Sequence, residues 1–147
     1  MLDAIFLQAI FYLDVTDKIT THTYQVMYGM FLLPLIRGHR DNNKKIRLLE
    51  IGMGCDMYYG PGKSLAIWRE MFKGLLSIEF YWQNVLKMGL GMNVEIWMAE
   101  YDKECVTKAK ASNQLDGVHA LVGDQGDKEV LKGWVQEATE GGLSVFC

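Results

Sequence analysis

The chain has 147 residues, half of them apolar, and 15 Lys and Arg residues against 18 Asp and Glu residues give it a net charge of −3. This composition is typical of one globular domain and excludes an intrinsically disordered chain. Because the charge is weak and no basic cluster is present, we expect no nucleic-acid partner. We also expect no membrane partner, since every apolar run is either too short or too interrupted by charges to span a bilayer.

The cysteine content points to a reducing compartment. Cys55, Cys105 and Cys147 are an odd number and lack the spacing of a disulfide-rich scaffold or of a C-x-x-C metal site. This pattern predicts reduced thiols and a cytoplasmic location. The histidines are widely separated in the sequence, so we expect no metal site and no catalytic triad.

Residues 1–45 are expected to form a helical preamble. Apolar residues at helical spacing in residues 5–12, and again from about Thr20 to Leu33, predict two helices. Pro34 is expected to end the second helix. The polar, turn-rich segment 37–45 then predicts a short loop before the rest of the chain.

From residue 46 onward the pattern changes to a repeated unit, a short apolar run followed by an amphipathic helix. Such units are typical of parallel βαβ structure. Asp102 and Asp127 stand where helix N-caps belong. We therefore predict an α/β fold, a partial doubly wound, Rossmann-like parallel sheet of three to four strands with flanking helices. The expected strands are 46–51, 94–99 and 119–122, with 143–146 as the start of a fourth, and the expected helices are 64–72, 102–112 and 127–138.

Residues 74–92 interrupt this alternation. A connection from a helix to a strand usually takes about 2–6 residues, and this segment is both longer and too apolar for a solvated loop. Two interpretations stay open. The segment is either an extra helix that covers one face of the sheet or an insertion foreign to the fold.

The strongest chemical signal is a Gly-x-Gly turn, Gly52 and Gly54, directly after the first predicted strand. Glu50 lies just inside the end of that strand, Glu100 ends the second, and Asp124 follows the third. The carboxyl ends of parallel strands form the edge where open α/β sheets bind ligands. An acid after the second strand can accept hydrogen bonds from two ribose hydroxyl groups. An acid after the third strand can accept a hydrogen bond from an adenine amino group.

Other interpretations of these residues remain open. The glycines could only shape a turn, and the acids could be solvated or could cap a helix. The segment 60–64, Gly-Pro-Gly-Lys-Ser, is similar to the end of a nucleoside triphosphate-binding loop. The first glycine of that motif would fall at position 57, which is Met57, so the match fails there.

Three segments together resemble the Rossmann-type S-adenosylmethionine-dependent methyltransferases. They are Leu-Glu-Ile-Gly-Met-Gly at 49–54, Ala-Glu-Tyr-Asp at 99–102 and Val-Gly-Asp-Gln-Gly-Asp at 122–127. The likeness is closer to fungal methyltransferase-domain proteins and to macrolide and sugar O-methyltransferases. These share a Ser-Leu-x-x-Trp helix after the glycine loop, here at 64–68, and the fungal proteins share the preamble at 17–30.

The resemblance implies S-adenosylmethionine as cofactor and methyl transfer to a hydroxyl group of a small molecule as activity. The binding residues that it implies are Glu50, Gly52 and Gly54 at the methionine part and the sulfonium, Glu100 at the ribose hydroxyls, Tyr101 beside the adenine ring, and Asp124 and Gln125 at the adenine edge. Glycines leave room for a cofactor without phosphate groups, and carboxylates suit both the ribose diol and the positive sulfonium.

The sequence also departs from the family. In the family a fourth strand ends in an acidic cluster, which binds magnesium in metal-dependent members, whereas this chain stops at Cys147 without one, and Asp56 replaces the third glycine. We therefore assign no catalytic residue and no metal ligand. Residues 46–147 are expected to be the cofactor-binding half of a truncated methyltransferase domain, with an open edge on its first strand and marginal stability.

Two other functions stay open at this point. One is a non-catalytic, Rossmann-like domain that binds an adenosine-containing ligand, and the other is a fragment of an NAD-dependent dehydrogenase. Glu50 before Gly52, in place of a three-glycine fingerprint after a plain apolar strand, favours the methyltransferase over the dehydrogenase.

Overall fold

The structure, a computed structural model, covers two compact units. Its contacts group Met1–Lys44 with Ser64–Asn93, and Lys45–Lys63 with Val94–Cys147. The residues that it describes are 28–32, 34–35, 38, 45–58, 60–69, 72, 94–139 and 144–146.

A four-stranded, fully parallel sheet organises the second unit, in the order β3-β2-β1-β4. The strands are β1 (Ile46–Ile51), β2 (Val94–Glu100), β3 (Val118–Val122) and β4 (Ser144–Phe146). Helix α1 (Lys103–Ala111) connects β2 to β3, and helix α2 (Lys128–Thr139) lies between β3 and β4 in the chain. The predicted α/β fold with a partial Rossmann-like sheet is confirmed.

Strand β1 is paired on both sides. Its partner β2 runs in register from Ile46 opposite Val94 to Ile51 opposite Ala99. On the other side Arg47, Leu48 and Leu49 pair with the three residues of β4. The predicted open edge of β1 is therefore wrong along this stretch, because the apolar run near the end of the chain supplies the missing neighbour.

Both faces of the sheet are buried, which explains why its central strands are apolar almost throughout. Leu48 and Met98 point to one face and are 0% and 1% exposed. The opposite face packs against α2. The core cluster on that face consists of Leu49, Trp97, Ala99 and Leu121 from the sheet with Trp134 and Ala138 from α2.

Aspartates begin both helices of this unit, as predicted. Asp102 Oδ1 accepts hydrogen bonds from the backbone N–H groups of Glu104 (2.8 Å) and Cys105 (3.0 Å). Asp127 Oδ1 accepts from the N–H of Glu129 at 2.8 Å. These contacts satisfy donors that a helix start leaves without partners. None of the helices within the described ranges is long and apolar enough to cross a membrane.

The described residues of the first unit are helical. Tyr28–Leu32 forms a π-helix, and residues 64–69 with Phe72 are helical, as predicted for 64–72. The Tyr28 ring packs edge-on against Trp68, which is 1% exposed, at a centroid distance of 5.1 Å.

The π-helix ends at Leu32, just before Pro34, as predicted for the end of the second helix. Helical residues occur again at Pro34, Leu35 and Gly38, which the sequence did not predict. Proline is compatible with the first turn of a helix as well as with its end. The predicted helix at 5–12, the interruption at 74–92 and most of the predicted loop at 37–45 lie outside the described residues.

Candidate functional site at the carboxyl edge of the sheet

The glycine loop, described at residues 52–58 and 60–62, leaves β1 at the point where the strand order reverses between β1 and β4. Gly52 has a φ of 94° and Gly54 a φ of 79°, a conformation that side chains disfavour. The Gly52 N–H donates to the Ala99 carbonyl oxygen at 2.8 Å, so the loop starts alongside the end of β2. A Cβ atom at Gly52 would meet nothing within 4 Å. The turn therefore needs glycine for its backbone conformation and leaves open space beside it.

Glu100, the last residue of β2, anchors this loop. Its Oε2 accepts a hydrogen bond from the Met53 N–H at 2.7 Å, and its Oε1 accepts from the N–H groups of Tyr101 (2.8 Å) and Asp102 (3.2 Å). A carboxylate offers about four acceptor positions, and these three bonds occupy most of them. The sequence predicted where Glu100 lies but not these partners, because the bond to Met53 joins residues 47 positions apart.

A disulfide between Cys55 and Cys105 forms a second link from the loop to the segment after β2. The two sulfur atoms are 2.07 Å apart, and the Cα atoms are 6.1 Å apart. The prediction of reduced thiols is wrong for this pair, whereas Cys147 lies outside the described residues. Counting cysteines missed the pair because it ignores topology. Cys55 and Cys105 follow the ends of two strands that pair in register, and this equivalence of position was the available signal.

The end of β3 completes the edge. The Gly123 N–H donates to the Glu100 carbonyl oxygen at 3.1 Å, which places residues 123–125 beside the end of β2. Asp124 and Gln125 are exposed, and Asp124 Oδ1 accepts from the Gly126 N–H at 2.7 Å. The predicted adenine-edge residues therefore lie on a short turn that Asp124 itself shapes.

Gly123 is a residue of this edge that the sequence did not single out. A Cβ atom there would lie 2.6 Å from Val130 Cγ1 and 3.1 Å from Trp134 Cζ2, both on α2. Contacts this short force neighbours to move. The available signal was a glycine between an apolar strand and a capped helix, a position where close packing of helix against strand excludes a side chain.

The predicted residues gather at one edge of the sheet but at different depths. Glu50 is 0% exposed and lies opposite Met98 in the sheet register. The Glu100 carboxylate, at the end of β2, contacts the glycine loop, whereas Tyr101 is 70% exposed. Within the part of the chain that the structure describes, no group of three or more His, Cys, Asp or Glu residues could hold a metal ion.

These residues fit an adenosine-containing ligand in their chemistry. The open space at Gly52 suits a ligand that approaches the backbone, and the Glu100 carboxylate suits a ribose diol. The present arrangement at Glu100 is closed, however, since the carboxylate accepts from three backbone N–H groups of the protein itself. A diol would have to replace at least one of them.

Comparison with known proteins gives no assignment. No protein-family model matches the chain, and no curated protein or solved structure is significantly similar to it. The function has therefore to be inferred from the chemistry of this edge.

Proposed function

We propose that the chain binds S-adenosylmethionine at the carboxyl edge of its sheet. It is then a methyltransferase that acts on a hydroxyl group of a small molecule, or the cofactor-binding part of such an enzyme. The observation that carries the proposal is the juxtaposition of Glu100 with the glycine loop, where the Met53 N–H lies 2.7 Å from Glu100 Oε2. An acid in this place meets the ribose of a ligand whose other end lies against the glycines.

Each residue of the site has a role in this proposal. Glu100 would hold the ribose hydroxyl groups, and the open space beside Gly52 would take the methionine part, with the Gly54 backbone next to it. S-adenosylmethionine, when bound, supplies a methyl group on a positively charged sulfonium, which the buried Glu50 carboxylate would favour electrostatically. Tyr101 would lie beside the adenine ring. The last two residues of the set, at the adenine edge, are Asp124 and Gln125.

The length of the glycine loop supports this ligand over a dinucleotide. In dinucleotide-binding folds the helix begins at the glycines, so that its N-terminus binds the pyrophosphate. Here the helical residues begin only at Lys63, well after Gly54. A cofactor without phosphate groups has no need of a helix N-terminus at the glycines.

The proposal includes a cellular setting. We place the protein in the cytoplasm, with a small-molecule acceptor and with neither nucleic acid nor a membrane as partner. The net charge of −3 supports the exclusion of nucleic acid. Thiols in that compartment are kept reduced. A reducing compartment therefore favours the dithiol form of the Cys55–Cys105 pair at this site.

Calorimetry with S-adenosylhomocysteine tests the binding. In the presence of a dithiol, the chain is expected to bind this ligand and not NAD. Glu100→Ala is expected to weaken binding at least about tenfold, since it removes the ribose acceptor. Glu95→Ala is the matched control, because Glu95 is on the same strand but pairs with Lys45 at 2.5 Å and with Arg47. Absence of binding up to about 1 mM ligand, a free energy near −4 kcal/mol, would refute the proposal.

A second assay separates the enzyme from a non-catalytic adenosine-binding domain with the same site. Methyl transfer from labelled S-adenosylmethionine to small hydroxyl compounds is expected for the enzyme. Binding without transfer to any acceptor would assign the chain to the non-catalytic class.

A further inference from the structure

We propose that Cys55 and Cys105 form a redox switch of this ligand site, closed as the disulfide and opened by a dithiol reductant. The inference rests on the proposed function, because it concerns regulation of the same site. It is based on where the disulfide lies and on what the Glu100 carboxylate already binds.

The disulfide joins the glycine loop to the segment that follows Glu100. Cys55 is in the glycine loop, one residue after Gly54, and Cys105 is in the first turn of α1, a few residues after Glu100. Both cysteines are half-buried, so a reductant can reach the bond. The bond therefore ties together the two segments between which a ribose must fit.

The hydrogen bonds of Glu100 explain why a fixed loop would hinder ligand binding. Three of its about four acceptor positions are taken by backbone N–H groups, whereas a ribose diol needs two. Binding the diol requires at least one of these N–H groups to leave. Tyr101 and Asp102 directly follow Glu100 in the chain, so we take the Met53 N–H, which comes from the glycine loop, as the donor that the diol replaces at Oε2. Met53 can move away only if the loop moves, and the disulfide fixes the loop at Cys55, two residues further along the chain.

The chemistry of opening is thiol–disulfide exchange. A thiolate of the dithiol attacks one sulfur atom, the Cys55–Cys105 bond breaks, and a mixed disulfide forms while the other cysteine takes up a proton. The second thiol of the reductant then displaces the first cysteine. The dithiol is oxidised to its own disulfide by two electrons, and the protein gains two thiols.

The competing interpretation is a purely structural disulfide that holds the loop ready for the ligand. It predicts the opposite order of affinities, because preorganisation strengthens binding. A comparison of ligand affinity between the oxidised and reduced chains therefore distinguishes a redox switch from a structural disulfide.

The experiment measures S-adenosylhomocysteine binding by calorimetry to the full chain in both states. Alkylation and mass spectrometry assign the state, with Cys55 and Cys105 protected from alkylation before treatment with dithiothreitol and modified after it. Reduction is expected to strengthen binding about tenfold or more, since apparent affinity scales with the fraction of molecules that can bind. Cys55→Ser/Cys105→Ser should bind like the reduced chain in both buffers, and Cys147→Ser should keep the switch.

Hydrogen exchange gives a readout that needs no ligand. The Met53 amide is expected to exchange slowly in the oxidised chain and faster after reduction, with the exchange of the β2 amides unchanged. The double serine variant should show the faster rate in both buffers, and its circular dichroism reports whether it is folded.

The outcomes separate the inference from the proposed function. Equal binding in both states, tighter binding by the oxidised chain, or an unchanged Met53 exchange rate overturns the switch and leaves the binding proposal in place. Absence of binding in both states overturns the proposed function and with it this inference. Alkylation of both cysteines in the chain before reduction also overturns it.

Discussion

The two ends of the β1–β2 pair hold their carboxylates in different ways. At the amino end, Glu95 Oε1 pairs with Lys45 Nζ at 2.5 Å and Glu95 Oε2 with Arg47 Nε at 2.8 Å. At the carboxyl end, Glu100 accepts only from backbone N–H groups among the hydrogen bonds that the structure describes. One carboxylate is balanced by charged side chains, and the other by the donors of a loop and a helix start.

This difference separates a structural site from an exchangeable one. The partners of Glu95 are Arg47 on the adjoining strand β1 and Lys45 just before it, so they are in place whenever the strands pair. One partner of Glu100 is an N–H of the glycine loop, which a ligand hydroxyl can replace if the loop moves. Changes at the amino end should therefore affect stability, and changes at the carboxyl end should affect both stability and binding.

The largest expected effect comes from reducing the disulfide at the carboxyl end. It joins residues 50 positions apart, so its loss should lower the free energy of unfolding by about 2–4 kcal/mol through the entropy of the unfolded chain. Urea denaturation with and without dithiothreitol measures this. Cys147→Ser is the control and should respond to reduction like the unmodified chain. A difference below about 0.5 kcal/mol between the free energies of unfolding of the oxidised and reduced chains would contradict this expected loss of stability.

The next largest effect is expected at the end of β3. Gly123→Ala should lower the free energy of unfolding by about 1–3 kcal/mol, because the new methyl group would lie 2.6 Å from Val130 Cγ1. Gly133→Ala on α2 is the matched control, since a Cβ atom there meets nothing within 4 Å. It should instead stabilise the chain by up to about 1 kcal/mol, as alanine favours a helix more than glycine does. Equal effects of the two substitutions would contradict the close packing at Gly123.

At the amino end, Glu95→Gln should cost about 1–2 kcal/mol of stability and leave ligand binding unchanged. Arg47 Nη1 is buried without a hydrogen-bond partner in the described structure, so the Arg47 charge depends on Glu95. A loss of S-adenosylhomocysteine affinity in this variant would contradict the separation of the two ends.

The same substitution should change the pH dependence of stability. The hydrogen bond from Lys45, aided by Arg47 and opposed by partial burial, holds the pKa of Glu95 below its ordinary value. The stabilisation is therefore complete above the ordinary pKa of about 4.3 and is lost as the pH falls through the lower pKa of the folded state. The stability difference between the chain and Glu95→Gln should be constant near neutral pH and should shrink in acid.

The sequence predicted the local elements of the sheet because their information is local. Each strand of the core is an apolar run. Asp102 and Asp127 stand directly before amphipathic segments, and this position predicts the two helix starts. The end of β1 at Ile51 follows from Gly52, which the chain needs for its turn. These features depend on neighbouring residues, so a linear pattern contains them.

The contacts that close the site could not be predicted in the same way. The Met53–Glu100 bond and the Cys55–Cys105 disulfide join residues about 50 positions apart, and they depend on the register of β1 against β2. The role of Gly123 depends on the distance between β3 and α2. The three residues of β4 were foreseen as a strand, but their pairing with β1 was not.

The smallest expected effect is at the two aspartate caps, Asp102 at the start of α1 and Asp127 at the start of α2. Asp102→Ala and Asp127→Ala should each cost about 1 kcal/mol by urea denaturation, because each removes the acceptor for the first N–H groups of a helix. Asn at either position should cost only a few tenths, since it keeps that acceptor. Asp102→Ala should also loosen the first turn of α1, which contains Cys105, and so speed reduction of the disulfide by dithiothreitol. Asp127→Ala should leave the rate of disulfide reduction unchanged. Equal reduction rates in the two variants would contradict the expectation that the Asp102 cap controls access to the Cys55–Cys105 disulfide.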